Sequence, residues 1–279
     1  MRLYPLNAGN FKLDGGAMFG VVPKSIWQDL NPPDENNMCS WAMRCLLIED
    51  GKRLILVDNG MGNKQDAKFF SHYYLHGDDT IEKGMDRLGY GLDDVTDVFL
   101  THLHFDHCGG SIKVNKDKTG LVPTFKNATY WSNEKHWNWA VNPNAREKAS
   151  FLKDNILPIQ QSGQLKFISD GQELISGVEI VEVNGHTEAM MLPLVNYNGQ
   201  KILYCADLLP SIHHIPLPYI MGYDVRPLQT LAEKTEILKK AMTENWCLFF
   251  EHDPQVELCN LKQTERGIRH DKLFKLSEL

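Results

Sequence analysis

The chain has 279 residues, room for one large domain or two small ones at roughly 100–200 residues each. With 42% hydrophobic and 23% charged residues it has globular proportions, which excludes disordered, collagen-like and coiled-coil classes. A net charge of −7 with no dense Lys/Arg run argues against a nucleic-acid partner. The stretch from Met1 to Gly15 carries one Arg and no apolar core, so it does not read as a signal peptide. No apolar run approaches the roughly 20 residues of a membrane span, so no membrane partner is expected. Cys39, Cys45, Cys108, Cys205, Cys247 and Cys259 form no CxxC pair, and the expectation is reduced thiols in a cytoplasmic protein.

In chain order, Arg44–Glu49 and Arg53–Asp58 are apolar, β-rich runs joined by a turn at Glu49-Asp50-Gly51-Lys52. Helical stretches follow near Lys64–Leu75 and Thr80–Leu88, with Gly89 suited to end the second. Asp97–Thr101 is a buried-strand candidate, and Ser132–Asn155 reads as a helical insert. Then come a strand at Gly177–Val183 and two more, Leu192–Tyr197 and Lys201–Ala206, flanking the hairpin signal Asn198-Gly199. Pro227–Thr243 is helical and Trp246–Phe250 is a short buried strand. No linker or repeat divides the chain, so one domain over residues 1–279 is expected, with two sheets packed together and helices outside.

Chemistry concentrates at Thr101–Gly110, THLHFDHCGG, where His102, His104, Asp106 and His107 follow directly on a strand. Imidazole and carboxylate together suit borderline and hard divalent metals. His102 and His104 point the same way from an extended segment, and the turn after them swings Asp106 and His107 toward a second point. The density therefore suits two adjacent ions. His186, Asp207 and His252 each stand at the end of a later apolar strand and are candidates to complete the set. The Gly-rich Asn59–Lys64 lacks the spacing of a P-loop, and no G-x-S-x-G elbow is present.

HxHxDH followed by His, Asp and His at later strand ends resembles the metallo-β-lactamase-fold hydrolases over nearly the whole chain. The resemblance implies an α/β fold, a four-layer αββα sandwich with two divalent metal ions per chain, by default zinc. It implies that His102, His104 and His186 hold one ion, that Asp106, His107 and His252 hold the other, and that Asp207 bridges them. Asp58 in LVDNG matches the family's structural aspartate beneath the metal loop. Asp14–Lys24, Asp207–His214 and Met221–Asp224 resemble the quorum-quenching N-acyl-homoserine lactonases of this fold, whose related members hydrolyse organophosphate triesters. True β-lactamases lack the Asp207 carboxylate, flavo-diiron proteins have an acid at the His104 position, and ribonuclease Z-type enzymes need a basic surface.

The implied function is a lactonase or esterase acting on a small-molecule substrate through a metal-bridging hydroxide, with Asp106 relaying the proton. A phosphotriesterase, a thioester hydrolase or a non-catalytic metal-containing sensor are the alternatives. Two positions depart from the family. Thr187-Glu188-Ala189 stands where Thr-Pro-Gly is frequent, and Pro210 where some lactonases carry a tyrosine. A group that polarises the substrate carbonyl must then come from elsewhere, and His213, His214 and Tyr223 are the candidates. Tyr130, Trp131, Trp137 and Trp139 fit either core or a pocket wall. Met18, Phe19, Val21 and Val22 fit either a loop over a substrate channel or the contact face of a homodimer.

Overall fold

A computed structural model describes all 279 residues. The chain forms two compact units, Met1–Gly9 with Met43–Ser169 and Asn10–Ala42 with Asp170–Leu279. Two long strands, β1 (Arg2–Asp14) and β2 (Met38–Asp50), contribute residues to each.

The first unit continues with β3 (Arg53–Val57), β4 (Asp97–Phe99), β5 (Ile112–Val114), β6 (Leu121–Pro123), β7 (Thr129–Ser132) and β8 (Leu165–Phe167). Its main sheet has the order β1-β2-β3-β4-β7-β8, and β5-β6 is a separate small ribbon. The β2–β3 hairpin turns where expected, because Gly51 takes the left-handed φ of +60° that the tight turn needs. From β3 to β8 the pairings are parallel, so each connection must cross over. The first expected helix shrinks to Ala67–Ser71: Asp66 caps the Phe69 N–H, and Tyr74 at a φ of +45° ends the turn beyond it. The second, Ile81–Arg87, is capped by Thr80 and followed by Gly89 at a φ of +81°. The insert holds one helix, Glu134–Val141, capped by Asn133, and a second helix, Lys153–Gln161, begins at its end.

Leu47, Leu56, Val98, Leu100, Leu103, Tyr130, Trp137, Ile156 and Ile159 build the core of this unit. Each such side chain contributes about 1.5–3 kcal/mol by leaving water. Trp131 and Trp139 lie at its rim, their indole N–H groups donating to Asp97 at 2.8 Å and to Glu147 at 2.7 Å. The aromatic cluster is therefore core and rim, with polar tips satisfied.

The second unit carries β9 (Glu173–Ile175), β10 (Val178–Val183), β11 (Met190–Tyr197), β12 (Gln200–Tyr204), β13 (Cys247–Phe249), β14 (Leu258–Thr264) and β15 (Gly267–Phe274). They form one sheet in the order β15-β14-β13-β12-β11-β10-β9. Asn198 and Gly199 both take positive φ, the type I′ geometry read from the Asn-Gly pair. The helix Pro227–Thr243 makes the crossover into the parallel β12–β13 pair, with Pro at its first position. The β14–β15 hairpin was not expected: its outer strand is largely exposed and polar, and leaves no apolar period to read.

The Met18–Val22 run is not the open apolar face its sequence suggests, because Met18, Phe19 and Val22 are buried. Phe19 stacks on Trp27 and on His214, with ring centroids 5.4 and 5.0 Å apart. Only Val21, 89% exposed, faces solvent. All six cysteines are free and buried, and no helix is long and apolar enough to cross a membrane.

Candidate metal centre

The first unit brings together His102, His104, Asp106 and His107, all buried. Parallel pairing of β3 and β4 sets the residues after their C-terminal ends side by side. Asp58, just past β3, accepts the Thr101 backbone N–H at 2.8 Å and the Thr101 hydroxyl at 2.7 Å. Its Oδ2 also lies 3.1 Å from His107 Nδ1. Asp58 is completely buried, and at a φ of +55° its backbone is held in a conformation unusual for a side-chain-bearing residue. The Thr101 hydroxyl spends its proton on Asp58, so it accepts from His102 Nδ1, 3.1 Å away. His102 Nε2 then faces His104 Nδ1 at 3.1 Å. Leu103 donates its N–H to His136 Nε2 at 2.8 Å, which pins the segment between the two histidines. The glycines that close the motif are steric requirements. A Cβ on Gly109 would lie 2.2 Å from the Met61 carbonyl oxygen, and one on Gly110 would lie 2.3 Å from that of Asn59.

The second unit brings together His186, Asp207 and His252, also buried. The two carboxylate oxygens of Asp207 face different imidazoles, Oδ2 at 3.0 Å from His186 Nε2 and Oδ1 at 3.0 Å from His252 Nε2. Both rings are fixed from behind. His186 Nδ1 donates to Asp224 at 2.8 Å, and His252 Nδ1 to the Ala42 carbonyl at 2.7 Å. The loop carrying His186 is gripped as well. Glu233 accepts the backbone N–H groups of Asn184 and Gly185, and Arg226 donates to the Asn184 carbonyl and to Glu188. Ala189, at the family's glycine position, keeps a left-handed φ of +49°, with its N–H on Asn184 Oδ1 at 2.8 Å. The turn survives the departure from Thr-Pro-Gly because these side chains hold it.

Both donor sets fit divalent cations. Histidine nitrogens whose opposite nitrogen is occupied present lone pairs, and the Asp207 carboxylate between two imidazoles adds an anionic oxygen donor. The charge balance agrees. Burial alone would pull the His186 pKa down, but Asp207 and Asp224 overcome it and raise it to about 10. A buried imidazole drawn toward its cationic form marks a place short of positive charge, which a divalent ion supplies.

The remaining candidates divide. His214 is buried with both ring nitrogens committed, one to Ser211 Oγ at 2.8 Å and the other to the Met18 carbonyl at 2.9 Å, so it is a packing residue. Burial pushes its pKa down to about 3. His213 is half-buried, with its pKa lowered chiefly by burial, and Tyr223 is 39% exposed. Sequence reading missed Thr101, Asp224, Glu233 and His136. Asp224 stood inside the quoted Met221–Asp224 segment and Thr101 at the head of the Thr101–Gly110 motif; Glu233 and His136 carry no motif and are placed by tertiary structure alone.

The profile of the Metallo-beta-lactamase superfamily matches residues 44–252, and the chain belongs to that family. It is accordingly a metal-dependent hydrolase of the metallo-β-lactamase fold, the α/β sandwich class. Among its relatives is an N-acyl homoserine lactonase of Bacillus thuringiensis, 24% identical over 270 residues, covering 92% of this chain and 94% of the relative. A solved structure of a probable metal-dependent hydrolase from Staphylococcus aureus superposes with a TM-score of 0.89 at 25% identity, covering 98% of this chain and 96% of the other. A dizinc quorum-quenching lactonase, solved in complex with a product, gives a TM-score of 0.76 at 23% identity, covering 98% and 95%.

Proposed function

We propose that the chain is a dinuclear hydrolase that opens a lactone of the N-acyl-homoserine type, or cleaves a related ester, on a small-molecule substrate. The observation that carries this reading is Asp207, whose two oxygens each stand 3.0 Å from a different buried imidazole. In this reading His102, His104 and His186 serve one ion, Asp106, His107 and His252 the other, and Asp207 both. Zinc is the default ion for so imidazole-rich a set. Two divalent ions, when bound, would supply the Lewis acidity that generates a hydroxide near neutral pH and polarises the carbonyl. The family match crosses both units, which supports treating residues 1–279 as one catalytic domain.

The chain's own groups do the rest. Asp58, Thr101, Asp224 and the Ala42 carbonyl hold ring protons at the Nδ1 positions and so keep Nε2 lone pairs available. Asp106 takes up the proton released on attack and returns it to the leaving alkoxide. With His214 committed to packing, His213 and Tyr223 are the side chains left to hydrogen-bond the substrate carbonyl.

A substrate panel on the metal-loaded protein tests the reading. It should include N-acyl-homoserine lactones of several chain lengths, a paraoxon-type triester, a thioester and chromogenic esters. Lactones should give the highest kcat/KM. Fastest turnover of the triester or thioester would transfer the protein to that chemistry, and lactone binding without turnover would mark a sensor.

A further inference from the structure

Four of the five histidines in the two clusters follow one rule. His102, His107, His186 and His252 each turn Nδ1 toward a protein acceptor, at distances between 2.7 and 3.1 Å. His104 is reversed: its Nδ1 faces His102 Nε2, so its Nε2 points away. There it meets Glu147 Oε1 at 3.6 Å, with both side chains buried. That contact lies just outside hydrogen-bond range, with Glu147 Oε1 the acidic oxygen facing Nε2. Phe151 packs beside the His104 ring, with centroids 4.8 Å apart, and helps keep water from the pair. Glu147 is itself anchored. Its Oε2 accepts the Trp139 indole N–H at 2.7 Å and the Asn144 amide at 2.5 Å, which turns Oε1 to the histidine.

We infer that Glu147 is a positioning residue for the metal centre. It accepts the Nε2 proton of His104 and thereby leaves the lone pair on Nδ1, beside His102 Nε2. A neutral imidazole has one N–H and one lone pair, so fixing the proton decides which nitrogen ligates. The inference rests on the metal reading proposed above and gives the segment after the Glu134–Val141 helix a part in it.

Glu147→Gln tests this with a direction set by the site. Trp139 and Asn144 both donate, so the new amide oxygen must take the Oε2 position, and its NH2 then faces His104 Nε2. Two donors cannot face each other, and the imidazole is driven to the tautomer whose Nδ1 is protonated. Metal-stripped protein is titrated with Co²⁺, following the d–d absorption bands, and metal-free melting is recorded alongside. Glu147→Gln should bind cobalt about 10–100-fold more weakly, with altered bands. Glu147→Asp, which keeps the charge at shorter reach, should fall between. Trp139→Phe removes one anchor and keeps the carboxylate, so it should stay within about threefold of wild type. Wild-type affinity and bands in Glu147→Gln would overturn the inference. So would equal losses in Glu147→Gln and Trp139→Phe, which would make Glu147 only a tie for its loop. Failure of the wild-type protein itself to bind cobalt would overturn the metal reading beneath it.

Discussion

Asp58 Oδ2 lies 3.1 Å from His107 Nδ1 while the same carboxylate receives both the N–H and the hydroxyl of Thr101. One fully buried side chain thus fixes a histidine directly and a second, His102, through Thr101. Three donors converge on it, and an amide cannot accept from all three. Asp58→Asn should therefore weaken metal binding about 10–100-fold and cost about 1–3 kcal/mol of stability. Asn tolerates the left-handed backbone, so the loss is assignable to the side chain. Metal titration and denaturant unfolding of the variant check both figures.

Asp207→Asn keeps the size of the side chain and removes the charge that stands between His186 and His252 and would serve two cations. One ion should be lost or weakened, and turnover should fall by orders of magnitude. Elemental analysis of the purified variant beside its kinetics would show Asp207 to be a bystander if two ions and near-normal rates persisted.

The loop that carries His186 gives a pair of opposite expectations. A Cβ on Gly185 would come within 2.4 Å of the Thr230 backbone nitrogen, so Gly185→Ala should displace the loop, lower the melting temperature and weaken metal binding. Ala189 pays for its left-handed φ of +49°, so Ala189→Gly should stabilise by about 1 kcal/mol and leave metal binding unchanged. Thermal melts of both variants, with and without metal, test the pair.

His214 sets a pH dependence. Burial holds its folded pKa at about 3, against an ordinary value near 6.5, so the unfolded chain takes up a proton that the native chain refuses. Stability from this group is intact above pH 6.5 and is lost as pH falls toward 3. At pH 5 the loss amounts to about 2 kcal/mol. His214→Gln should lower stability at pH 7.5 and flatten the fall between pH 7.5 and 5 relative to wild type. Parallel slopes for the two proteins in urea unfolding would refute the assignment.

The sequence was most legible where local chemistry decides structure. Asn198-Gly199 and Gly89 take the positive φ read from them, and the Pro227–Thr243 helix has its expected bounds. His102, His104, Asp106 and His107 lie together because spacing along one turn is a local property. Asp224 and Glu147 were not legible, since their roles depend on partners 38 and 43 residues away in the chain. The burial of Met18 and Phe19 was not legible, because an apolar run flanked by glycines looks the same whether it is open or, like Phe19, packs on Trp27 and His214. The C-terminal hairpin was missed because its pairing satisfies backbone groups while burying few apolar side chains.

The proposed dinuclear hydrolase needs both buried donor sets to be filled by divalent ions. Stepwise Zn²⁺ titration of the metal-stripped protein, with lactone hydrolysis measured at each addition, is the deciding measurement. Activity should be absent without metal and should rise to a plateau at about two ions per chain. A plateau at one ion per chain, or turnover that needs no metal, would rule out a dinuclear hydrolase.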